Sequence, residues 1–65
     1  MIEALRKKYE AEIAAAKANI EVYLTNPTGI GEHPDLVSAV DSEVTKLAAA
    51  EEKLMTLDNH WGSAQ

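Results

Sequence analysis

The sequence predicts an all-α fold, an antiparallel two-helix hairpin that assembles into a four-helix bundle. Three observations predict it. Two long stretches lack Gly and Pro and repeat their apolar residues every three or four positions. A segment carrying both prolines and two of the three glycines separates them. The apolar arc of the second stretch is wider than one neighbouring helix can cover.

The first helix is expected over residues 2–25, where Ala, Glu, Lys and Leu, all good helix formers, dominate. Its large apolar residues are Ile2, Leu5, Tyr9, Ile13, Ile20 and Leu24, with Ala16 filling the gap. The steps of 3, 4, 4, 3, 4, 4 make an eleven-residue repeat, which favours a straight or slightly right-handed helix over a left-handed coiled coil. The opposite face is apolar but small: Ala4, Ala11, Ala15, Ala18 and Val22. Such a face permits a second helix to approach closely.

Residues 26–33 form the expected loop. Asn26 precedes Pro27, which pushes it out of the α region and ends the helix. Gly29 and Gly31 are available for positive φ, and Ile30 between them would plug the end of the hairpin. The second helix is expected over residues 34–61, with His33 as N-cap, Pro34 in the first helical position and Asp35 at the positive end of the dipole. Since His is not a preferred cap, this start could shift by a residue or two. Leu36, Val40, Val44, Leu47, Ala50, Leu54, Leu57 and Trp61 form its seam, flanked by Val37, Ala48 and Met55. Gly62 is expected just past the C-terminus, with a frayed tail over residues 62–65.

A connection this short suits an antiparallel neighbour. That alignment sets Arg6, Lys7 and Lys8 beside Glu51, Glu52 and Asp58, with favourable signs throughout. In a chain of 65 residues without cysteine, neither disulfides nor thiolate metal sites can supplement a small core. Self-association is therefore the expected supplement, through Tyr9, Ala11, Ala15, Ala18, Val37, Val44, Met55 and Trp61. Within this scheme Ile13 and Ile20 face Val44 and Leu47 of the same chain, and the alanine stripe faces a neighbouring hairpin.

Composition weighs against several function classes. The net charge of −5 lies entirely from Pro27 onward, which disfavours phosphate backbones and leaves Arg6-Lys7-Lys8 as a short, acid-balanced basic cluster. No apolar run approaches the ~18 residues of a membrane span. The N-terminal segment mixes acids and bases with no signal-peptide core, so a cytoplasmic location is expected. Gly29-Ile30-Gly31-Glu32-His33-Pro34 superficially matches the start of a dinucleotide-binding G-x-G-x-x-G, but no strand precedes it and proline replaces the third glycine. Glu32, His33 and Asp35 are ligand types without a second His at helical spacing, and His60 sits at the far end of the hairpin. Glu51-Glu52 and Asp41 with Glu43 are side chains that do not face each other on a helix. No catalytic residue, cofactor or metal is therefore expected.

Asn26-Pro27 followed by Gly29-Ile30-Gly31-Glu32-His33-Pro34-Asp35, together with the run Ala48-Ala49-Ala50-Glu51-Glu52-Lys53-Leu54, resembles a group of small helical proteins of marine T4-like bacteriophages, including those infecting cyanobacteria. The resemblance implies a phage origin and expression in a host cytoplasm, and it carries no activity or site residues. The expected function is a non-enzymatic structural or interaction module that associates with itself. The alternative is a small regulator that masks a host protein with the apolar arc of the second helix.

Overall fold

A computed structural model describes residues 1–26 and 35–62 as two helices, α1 (Ile2–Thr25) and α2 (Leu36–Trp61), packed side by side. The partners that cross between them are Arg6 with Asp58, Tyr9 with Lys53, and Asn19 with Glu43. As the α1 number rises the α2 number falls, which is the signature of an antiparallel hairpin. Each level of α1 faces the α2 residue whose number brings the two to about 63.

The α1 terminus matches expectation. Asn26 leaves helical geometry at φ −145° and its N–H donates to the carbonyl of Val22. The Thr25 hydroxyl adds a bond to the carbonyl of Glu21. The α2 start differs from expectation. The helix begins at Leu36, and Asp35 is its N-cap: Oδ1 accepts from the backbone N–H of Ser38 at 3.1 Å. The reason is chemical. Asp is among the strongest cap residues because its short side chain reaches a free N–H of the first turn, whereas His does so poorly. Gly62 is helical, at φ −62° and ψ −31°, so α2 does not close with a left-handed glycine. The loop assignments for Gly29, Ile30, Gly31, Glu32, His33 and Pro34, the loop part of the phage-like motif, and the tail 63–65 lie outside the described residues.

Packing selects a different seam from the one the apolar pattern suggested. On α2 the residues turned toward α1 are Leu36, Val40, Glu43, Leu47, Ala50, Leu54 and Leu57. These alternate steps of four and three, which is a heptad seam. Val44, expected in this row, is displaced by Glu43. On α1 the covered row is Ile2, Leu5, Tyr9, Glu12, Ala16 and Tyr23, with Ile13 and Ile20 half-covered beside it. Leu24 is exposed and Tyr23 takes its place. The eleven-residue reading of α1 thus gives way to a heptad, because a partner with a 3.5-residue seam is followed only by matching it. Ala16 and Ala50, each 2% exposed, and Leu57 are the buried apolar residues among those described. Side chains this small leave room for a close approach of the backbones at mid-seam.

Candidate interaction faces and the polar centre of the seam

Two flanks run along the seam, and seven-residue steps sort side chains between them. Arg6, Ile13 and Ile20 of α1 share a side with Val37, Val44, Glu51 and Asp58 of α2, anchored by the Arg6–Asp58 ion pair. Lys8, Ala15 and Val22 share the other side with Ala39, Lys46, Lys53 and His60. That second side is anchored by the Tyr9 ring, with the ammonium groups of Lys8 and Lys53 5.7 and 5.6 Å from its centroid. At about 100° per residue, Leu24, Ala48 and Met55 extend the first flank outward, and Ala11, Ala18 and Ala49 extend the second.

The expected interface residues therefore do not form one surface. Val37, Val44 and Met55 lie on the first flank, all exposed, with Val37 81% and Val44 45% accessible. Ala11, Ala15 and Ala18 lie on the second flank, also exposed. Tyr9 is half-buried in the seam itself. Trp61 is exposed at the end of the α2 seam row, its ring tilted against His60 with centroids 5.5 Å apart. The expected pairing of Ile13 and Ile20 with Val44 and Leu47 is split: Ile13, Ile20 and Val44 lie on the first flank, the isoleucines half-covered and Val44 exposed, while Leu47 lies in the seam.

The second flank holds a groove of about 350 Å³ between the helices. Alanines 15, 16, 49 and 50 form its floor, and Glu12, Asn19, Glu43, Lys46 and Lys53 rim it. Its origin is steric: four methyl side chains opposite one another leave space that larger residues would fill.

At the groove's edge sits the feature that pattern reading passed over. Glu43 is 8% exposed and occupies a seam position. Its Oε1 accepts from Asn19 Nδ2 at 3.0 Å and its Oε2 accepts from Lys46 Nζ at 3.1 Å. No buried side-chain polar atom among the described residues is left unpartnered. The hydrogen bonds from Asn19 and Lys46 hold the Glu43 carboxyl below the usual carboxylate range, with burial opposing. The Lys8–Glu12 pair, at 2.6 Å, lowers Glu12 in the same way and raises Lys8. Asp58 does likewise for Arg6, raising it. A signal for Glu43 is present in the sequence, since it lies in a strict seven-residue series with Leu36, Ala50 and Leu57. Its charge hid it, because buried carboxylates are rare unless paired.

No group of three or more metal-ligating side chains occurs among the described residues, nor any helix long and apolar enough to cross a membrane. No family model, curated protein or solved structure matches the chain.

Proposed function

We propose that this hairpin is a protein-interaction module that works by self-association, supplying two helices to a larger bundle rather than catalysing a reaction. The observation that carries the reading is how little the pair of helices encloses. Of the buried apolar residues two are alanines, while Leu24, Val37, Val44, Met55 and Trp61 remain exposed. Core-facing helices of a bundle use the two seam rows plus one flanking row, and the first flank supplies that third row. Sedimentation equilibrium across micromolar concentrations should give twice the chain mass or more. Thermal midpoints should rise with concentration, as mass action requires of an oligomer. A monomer whose melting is cooperative and independent of concentration would refute the proposal.

A second reading has its own support. Asp41, Glu51 and Glu52 make no ion pair among the described residues and border the apolar row Val37, Val44, Ala48 and Met55. That composition suits a basic amphipathic helix of another protein, which the hairpin would mask as a small regulator. A monomer that gains helicity and stability only with such a helix present would favour this reading over the first.

A further inference from the structure

We infer that two copies join through the first flank, by Ile13, Ile20, Val37 and Val44, with their loops at the same end, so that α1 of each lies beside α2 of the other. The inference rests on the self-association reading and specifies the face and the alignment.

The face follows from the asymmetry of the flanks. Apart from Val22, the second flank offers methyl groups beside Lys46 and Lys53, and alanines have little surface to remove from water. The first offers Ile13, Ile20 and Leu24 on α1 and Val37, Val44, Ala48 and Met55 on α2. Most of these large side chains lie in the half nearer the loop. At the opposite end the same flank carries the Arg6–Asp58 ion pair, with Arg6 also near Glu3.

The alignment follows from charge. Lys17 lies on the outer row of α1, between Ile13 and Leu24, and makes no ion pair among the described residues. With loops at opposite ends, overlap of the two apolar halves sets Lys17 against the second copy's Lys17. It also sets Asp41 within a turn of the second copy's Glu51 and Glu52. With loops together, α1 faces α2 of the second copy at the levels seen within one chain. Lys17 then falls opposite position 46, midway between Asp41 and Glu51 of the second copy. Each acid is about 7–8 Å away along the axis, a span that a lysine and a carboxylate side chain bridge together. Arg6 likewise lies level with the second copy's Asp58. Like charges that oppose in one alignment become opposite charges in the other, and pairing of this kind sets helix orientation.

The chain has no cysteine, so a single Asn59→Cys variant accepts one spin label at an exposed site near the far end of α2. With loops together, only the lateral spacing of the helices separates the labels, and pulsed dipolar spectroscopy should read roughly 20–25 Å. Loops at opposite ends would give about 40 Å. A second arm uses charge: Lys17→Glu should weaken association about threefold to tenfold at low salt, and the exchanged pair Lys17→Glu with Asp41→Lys should recover it. A dimer showing the long distance, or one indifferent to both variants, overturns the alignment and leaves self-association standing. A labelled chain that sediments as a monomer removes both.

Discussion

The far half and the middle of the seam are built from opposite materials. Toward the open end, Leu5 and Tyr9 lie level with Leu57 and Leu54, all at least half-buried, and Arg6 clasps Asp58 across the edge. At the middle, Ala16 and Ala50 are the buried seam residues, and Asn19 reaches Glu43. Large apolar side chains contribute free energy in proportion to area removed from water but tolerate sliding. A hydrogen-bonded polar pair contributes less net stability yet tolerates almost no displacement, since a shift leaves a partly buried carboxylate unpaired. The far half therefore carries stability, and the middle carries register.

Substitution can break that contrast. Leu57→Ala removes the one large buried apolar side chain among the described residues and should cost about 2–5 kcal/mol, enough to unfold the hairpin unless association rescues it; circular dichroism melts at two concentrations would show which. Ala50→Leu forces bulk into a fully covered seam position and should cost about 1–3 kcal/mol. Ala15→Leu, on the open groove one residue from buried Ala16, should stay within about 0.5 kcal/mol of the parent. Equal losses at positions 15 and 50 in chemical unfolding would mean that the seam at Ala50 is packed no more tightly than the groove.

Glu43 offers a sharper test, since stability and specificity should move apart. Glu43→Leu should raise the thermal midpoint while multiplying the alignments that cysteine pairs placed at successive α2 positions can trap, as removal of a buried polar group does in other helical seams. A midpoint that rises with one alignment retained would deny the residue its register role. The pH dependence is smaller and its sign is fixed by the lowered carboxyls of Glu43 and Glu12. A carboxyl held below its ordinary value of 4.5 stabilises the fold at every pH above that value. The contribution is lost as pH falls through the folded value. Glu43→Gln should lower stability at neutral pH and converge on the parent below about pH 4.5, which flattens the acid limb of the stability–pH curve. An unchanged acid limb would mean that Glu43 is no better solvated or bonded folded than unfolded.

Ala15→Glu makes the smallest change expected, and it separates the two flanks. If the second flank faced another hairpin, a charge there would enter a packed contact and weaken association. With the first flank as the contact, Ala15→Glu should sediment as the parent does, while Val44→Glu should dissociate the assembly. The reverse pattern would transfer the interface to the alanine stripe.

Local chemistry settles the helices without help from any tertiary contact. Composition and three-to-four-residue spacing are properties of a single helix, so the extent of α1 and most of the α2 seam were legible from the residues. Asn26 before Pro27 marked the first boundary for the same reason, since the steric restriction is confined to neighbouring residues. Even the Arg6–Asp58 clasp followed once the hairpin was antiparallel. What local chemistry could not rank was competition between rows. Val44 and Glu43 are adjacent, and apolar preference alone chooses Val44; the phase of α2 against α1 is decided by every seam contact together, and it turns Glu43 inward where Asn19 can meet it. Leu24 lost its place to Tyr23 through the same rotation. The separation of Val37, Val44 and Met55 from Ala11, Ala15 and Ala18 is likewise a tertiary fact. Periodicity places residues around one helix axis, and only the partner's position says which side of the pair each row will face.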